Sequence, residues 1–309
     1  MSQETPSVSA STLAGTDPAA VPASQVPNPE LVADHATARV TERLTSLFRD
    51  KTSRSLDRSM EYFARNPMFY TDSTLGWYMP TWHALKAVWD EYMPTWPDTA
   101  RSYPTRIIGD ERSAIVLFTD TPELFGGEVR AITALDFSDG LITRWVDYWD
   151  GRHFGTDAMN QLRVPEAEFP RTFGEDVVGD QSSPVLRKAV DRLNSALNRG
   201  DTTGLFTADA TFEDLALRTT IVGPLAIDAY IRRSYTTLPY GRGATIRHTL
   251  GSPQGGGYEW INNGIAVDQG ITAIELDEYQ RISRLTVTWD GSRLDDHTLA
   301  TMLADTIER

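Results

Sequence analysis

Two kinds of hydrophobic spacing follow one another along the chain, and the sequence runs through them twice. Between Leu31 and Lys51 the apolar residues Val40, Leu44, Leu47 and Phe48 are separated by charged and polar ones. Steps of three and four predict a helix. A second short helix, SLDRSMEYFAR, is expected to stop at Asn66-Pro67, because the residue before a proline avoids the helical region. MFYTD then reads as a strand and GWYMP as a turn. TWHALKAVWDEY returns to helical spacing, with Leu85, Val88, Trp89 and Tyr92 on one face and Pro94 and Pro97 after it. Beyond this point the period shortens to two. PTRIIGD, SAIVLFTD, EVRAITALDF and LITRWVDYW are expected strands, the last two joined by a tight turn at Ser138 to Gly140.

The second half repeats the scheme. Leu186, Ala189, Val190, Leu193 and Leu197 form a helical stripe that Gly200 terminates. TFEDLALR reads as a strand, PLAIDAYIRRSY as a helix, and TIRHTLG, YEWINNGIAV, GITAIELDEY and RISRLTVTWD as strands. The repeat is visible residue by residue. Phe69-Tyr70-Thr71-Asp72 lies over Thr211-Phe212-Glu213-Asp214, and Ile142 with Trp149-Asp150-Gly151 lies over Ile282 with Trp289-Asp290-Gly291. Helices first and an antiparallel meander afterwards predict an α+β class. Two tandem domains are expected, residues 31–155 and 185–309, each with about three helices on a curved, mostly antiparallel sheet. Residues 156–184 are the expected linker, pinned to a surface by Phe169 and Phe173. Residues 1–30, rich in Ser, Ala, Pro and Thr, are an expected disordered tail.

Composition narrows the function classes. A length of 309 residues suits about two domains. The formal charge is −14, from 43 acidic and 29 basic residues, which would repel a phosphate backbone, so no nucleic-acid partner is expected. There are no cysteines, and the five histidines have no ligand spacing, so neither a thiolate site nor a zinc site is expected. No run of about 18 apolar residues spans a membrane. The tail lacks the basic start and apolar run of a signal peptide, and the expected compartment is the cytoplasm. Gly255-Gly256-Gly257 is not followed by Lys-Ser/Thr or by a helix, and reads as a flexible hairpin loop rather than a phosphate loop.

The ordering of helix, Gly-Asp turn, short helix, acidic strand and Gly-Pro turn into another helix over Val190 to Ile231 resembles the opening half of the nuclear transport factor 2-like (NTF2-like) superfamily. That superfamily includes ketosteroid isomerases, SnoaL-type polyketide cyclases and limonene epoxide hydrolases. The resemblance covers about Val32 to Phe154 and Val185 to the C-terminus. It implies cone-shaped domains packed sheet to sheet, hence a pseudo-dimer within one chain, and leaves a homodimer open. It also implies an enzyme without a cofactor in secondary metabolism, carrying out cyclisation, isomerisation or epoxide opening on a small apolar molecule.

Three aspartates carry the expected chemistry. ADATFEDL, Ala208 to Leu215, is similar to the segment that holds the general base of ketosteroid isomerases, which sets Asp214 at the base position. The oxyanion donors of that family are absent: Leu193 and Thr272 stand at their positions. Asp72 matches Asp214 in the first half. Arg144 to Asp150, RWVDYWD, resembles the WxDYxD end of the cyclases and epoxide hydrolases, and by that resemblance Asp147 is an acid or base. Strand alternation puts Trp145, Asp147 and Trp149 on one face, where a carboxylate between two indoles is desolvated and its pKa rises. The Arg-x-Asp pair of the epoxide hydrolases is missing from IVLFTD; Arg106 or Arg130 could substitute. Six of the eight tryptophans fall in the first half. Tyr70, Trp89, Tyr92, Trp145 and Trp149 are therefore the expected lining of an apolar pocket. In the second half His248, with Glu213 and Glu259, is a further candidate, placed to orient Asp214 or a water. The rival class is a non-catalytic small-molecule-binding, sensing or assembly protein, for which the aromatics are plain core and the aspartates strand ends.

Overall fold

A computed structural model describes residues 27–307 of the chain. Of the tail expected over 1–30, residues 1–26 lie outside them, and 27–30 take no regular form. The expected α+β class holds: there are two separate curved sheets, each with helices packed on its concave side.

The first sheet has seven strands: β1 (Val32–Ala36), β2 (Phe69–Asp72), β3 (Trp77–Met79), β4 (Ser102–Gly109), β5 (Ser113–Asp120), β6 (Val129–Ser138) and β7 (Leu141–Trp149), in the order β1-β4-β5-β6-β7-β2-β3. Helices α1 (Ala38–Thr52), α2 (Leu56–Met60) and α3 (Trp82–Tyr92) pack against it. Two elements differ from the sequence reading. The predicted helix begins only at Ala38, where the Thr37 hydroxyl caps it. The residues before it pair in parallel with β4 as β1. GWYMP is not merely a turn, since Trp77–Met79 pairs antiparallel with β2. Both are short edge strands held by one neighbour, and their own spacing is too brief to announce them.

The second sheet has six strands: β8 (Phe206–Asp214), β9 (Thr219–Val222), β10 (Thr245–Ser252), β11 (Gly255–Ile261), β12 (Gln269–Leu276) and β13 (Ile282–Trp289), ordered β10-β11-β12-β13-β8-β9. Between the sheets the chain forms α4 (Pro122–Phe125) inside the first half, then α5 (Gly155–Leu162) and α6 (Glu175–Val178). Helices α7 (Pro184–Arg199) and α8 (Pro224–Ser234) pack on the second sheet, and α9 (Asp296–Ala304) follows β13. The short helix expected after the Gly-Asp turn is not formed: the chain turns at Thr203 and Gly204 and enters β8 at Phe206, whose long pairing with β13 claims the residues that follow.

The convex faces of the sheets lie against each other. Ile108, Ile115, Ile132, Val146 and Tyr148 of the first meet Leu250, Ile271 and Ala273 of the second, with Phe173 fully buried among them. The triglycine belongs here and not in a loop. Gly255, Gly256 and Gly257 start β11, and a Cβ on Gly256 or Gly257 would strike a neighbouring strand's backbone. A Cβ on Gly255 would come within 2.8 Å of Ile108 in the opposite sheet. The seam also holds buried charge. Arg144 donates to Glu259 at 2.6 Å and to Asp136 at 3.4 Å, Tyr148 donates to Glu259 at 2.7 Å, and His248 Nε2 lies 2.9 Å from Asp136.

Candidate functional site

Strand β7 separates two environments by its alternation. Val146 and Tyr148 face the seam, whereas Trp145, Asp147 and Trp149 face the helices of the first half. Strand β2 lies parallel beside it with Asp72 level with Asp147, which brings two carboxylates to adjacent strands on one wall. Above that wall is a cavity of about 370 Å³, bounded by Tyr70, Asp72, Trp89, Tyr92, Asp147 and Trp149, with Lys51 and Asp120 at its edge.

Asp147 is 5% exposed and accepts three hydrogen bonds, which leaves one lone pair of Oδ2 open. Tyr70 Oη donates to Oδ2 at 2.6 Å, Trp145 Nε1 donates to Oδ1 at 2.6 Å, and Thr133 Oγ1 also donates to Oδ1. Burial pushes its pKa up to about 6, against the opposing pull of those donors and of the Lys51 charge. Asp72 is partly exposed and lines the cavity. Its Oδ1 accepts from the backbone N–H of Thr74 and Leu75 at 3.0 and 2.9 Å, and its Oδ2 accepts from Trp149 Nε1 at 2.9 Å. Burial, and then the neighbouring Asp147 charge, push its pKa up to about 7. Between about pH 6 and pH 7 the coupled pair therefore holds about one proton, which makes one acceptor and one donor available side by side.

Sequence reasoning missed three groups of this site. Lys51 Nζ contacts Asp120 at 3.1 and 3.0 Å, and both side chains are buried. The ammonium sits 5.9 and 5.2 Å from the ring centres of Phe48 and Phe118. Ser102 Oγ also donates to Asp120. The signal was present: Lys51 continues the buried stripe Leu44, Leu47, Phe48, and Asp120 continues the inward alternation of Val116 and Phe118. Thr133, the cross-strand partner of Asp147, is the third. The arginines considered as substitutes lie elsewhere. Arg106 pairs with Glu275 across the seam, and Arg130 pairs with Glu128 at the surface.

Two expected pocket residues occupy other positions. Trp145 lies behind Asp147 as its hydrogen-bond donor and does not border the cavity. His248 points into the seam, bound to Asp136, and neither orients Asp214 nor lines the core of the second half. Glu259 is its neighbour in that seam, bound to Arg144 and Tyr148, and Glu213 pairs with Arg284.

Asp214 is fully buried and held as Asp72 is. It accepts from Leu217 N at 2.9 Å and from Trp289 Nε1 at 3.2 Å, as Asp72 accepts from Leu75 N and Trp149 Nε1. Tyr240 Oη adds a donor at 2.9 Å. Burial raises its pKa to about 6. The register then shows what the second half lacks. Val287 is level with Asp214 where Asp147 is level with Asp72, and Phe212 stands where Tyr70 does. Asp214 borders neither the large cavity nor the two smaller ones, and Tyr240, Tyr258, Trp260 and Trp289 are fully buried around that core. Among the described residues no group of three or more His, Asp or Glu is arranged to hold a metal ion, and no helix is long and apolar enough to cross a membrane.

No family model and no curated protein matches the chain. Solved structures do. An NTF2-like protein from Burkholderia xenovorans is 13% identical, with 36% of this chain and 82% of that one covered and a TM-score of 0.31. A steroid delta-isomerase from Pseudomonas aeruginosa is 14% identical, with 41% and 93% covered and a TM-score of 0.31. A structure from Shewanella putrefaciens described as a SnoaL-like polyketide cyclase is 11% identical, with 40% and 87% covered and a TM-score of 0.34. What this chain resembles is thus the NTF2-like group of structures, each of them spanning about two fifths of it.

Proposed function

We propose that the first half, about residues 31–155, is a cofactor-independent acid–base enzyme for a small, largely apolar molecule, and that the second half, about 185–309, is its structural partner in a covalent pseudo-dimer. Asp147, ionised, takes a proton from carbon or from water. Asp72, protonated, returns one to the oxygen or carbon that gains charge. Such an exchange serves isomerisation, cyclisation or epoxide opening alike. The observation that carries this reading is the pair of level carboxylates in the wall of an aromatic cavity, with Val287 and Phe212 replacing Asp147 and Tyr70 in the second half. A cavity of about 370 Å³ falls within the size of small-molecule sites.

The test begins with native mass spectrometry of the chain from its own host, and recovery of what it carries. The recovered molecule is then incubated with fresh protein in deuterated water. Conversion or deuterium uptake is expected, falling about 100-fold or more in Asp147→Asn. Equal conversion by Asp147→Asn and the native chain contradicts the proposal.

A further inference from the structure

The charges around the cavity do not balance. Four carboxyl groups border it, those of Asp72, Asp120, Glu123 and Asp147, against one ammonium, that of Lys51. Lys51 is matched by Asp120, which it contacts with both carboxylate oxygens. Among the described residues neither Asp72 nor Asp147 forms an ion pair, and their hydrogen bonds come from neutral donors. Glu123 Oε2 is buried with no hydrogen-bond partner. A carboxylate in a desolvated place either takes up a proton or acquires a counter-ion. Among the described residues none of these three is in an ion pair.

The remaining wall is of the kind that attracts cations. Tyr70 and Trp89 meet nearly at right angles, 82° with ring centres 6.4 Å apart, and form an aromatic corner directly beside Asp147, to which Tyr70 donates. Trp77 and Tyr92 form a second pair at 6.1 Å. Aromatic faces bind ammonium groups through their quadrupoles, most strongly where water is excluded. An anion would meet three uncompensated carboxyl groups here. A neutral apolar molecule would leave them without a counter-charge.

We infer that the molecule this cavity takes carries a positively charged nitrogen, an ammonium from primary to quaternary, on an apolar body. The ammonium is the missing counter-ion of the pair, whose charge sits on ionised Asp147, and lies in the corner of Tyr70 and Trp89. The inference rests on the reading of this cavity as the substrate site and names the class of substrate. It carries a linkage consequence. The titratable groups facing the pair are Tyr70 on β2, Lys51 on α1, Asp120 on β5, Tyr92 on α3 and Glu123 of α4. A fixed cation favours ionised Asp147, so its binding weakens as pH falls below about 6.

The experiment compares two probes that differ by one atom: choline, and its uncharged carbon isostere 3,3-dimethylbutan-1-ol. Isothermal titration of the full native chain is run at pH 7 and at pH 5. Choline is expected to bind at least about tenfold tighter than the alcohol at pH 7, and more weakly at pH 5. In Asp72→Asn/Asp147→Asn the preference is expected to vanish. Equal or tighter binding of the alcohol overturns the cation inference while leaving the cavity as a substrate site. Binding of neither probe counts against both. A choline preference that is no weaker at pH 5, or one that survives the double variant, also overturns the inference, because the carboxylates would not be its origin. The native chain alone decides between the probes, so the outcome does not depend on the variant folding.

Discussion

Two of the three aspartates share one local design, and what differs is what stands next to each. Asp72 and Asp214 are gripped by the backbone three residues on and by the indole that ends their own half's last strand, Trp149 or Trp289. Asp147 stands beside Asp72 alone, because Val287 takes its place beside Asp214. Burial raises all three, Asp72 to about 7 and the other two to about 6. A carboxyl whose folded pKa lies above its unfolded value binds protons more tightly when folded. Its contribution to stability is full below the unfolded value near 4 and is lost as pH rises through 6 to 7, on the order of 3 kcal/mol for each group. His248, raised by Asp136, acts in the same direction; His153, lowered by its burial and Arg218, acts against it. Urea unfolding followed from pH 8 to pH 5 is expected to shift to higher urea as pH falls. A midpoint that falls over that range contradicts the burial of these aspartates.

At the scale of elements, much was legible where a segment's own periodicity reflects its burial. The stripes of α1, α3 and α7, the alternation of β7 and the coincidence of Ile142–Trp149 with Ile282–Trp289 all have structural counterparts. Asp72 could be marked by its match to Asp214 and Asp147 by the motif of its strand, and alternation, a local property, put Asp147 on the face of Trp145 and Trp149. Elements defined by a partner distant in sequence were not legible. Edge strands β1 and β3 are too short for a period, and the triglycine reads as a loop until Ile108 approaches it from the other sheet. Sequence reasoning passes over Lys51, although its position on the buried stripe places it inside. Nothing in the sequence links Arg144 with Glu259, since the contact joins positions 115 residues apart. That contact permits a test. Arg144→Leu leaves Glu259 buried without its cation and Asp136 with His248 alone, at an expected cost of about 3–5 kcal/mol in urea unfolding. A loss below about 1 kcal/mol would mean that water reaches the seam.

At the scale of the molecule, two similar halves are joined back to back and have diverged in their interiors. The convex faces meet in an apolar seam with a buried ionic centre. The first interior keeps a cavity with paired carboxylates, and the second is filled with Tyr240, Tyr258, Trp260 and Trp289. On this account the second sheet backs the strands that hold Asp72 and Asp147 level, and the chemistry belongs to the first. The most direct measurement needs no substrate. Carbon-13 NMR of the aspartate carboxyl groups is followed across pH in the native chain and in Asp147→Asn. Two coupled carboxyls are expected to titrate near 6 and 7 in the native chain. In the variant one resonance disappears and the other, Asp72, moves to lower pH because its neighbouring charge is gone. An Asp72 resonance that titrates near 4 in the native chain, or does not move in Asp147→Asn, would contradict the pairing on which the proposed chemistry depends.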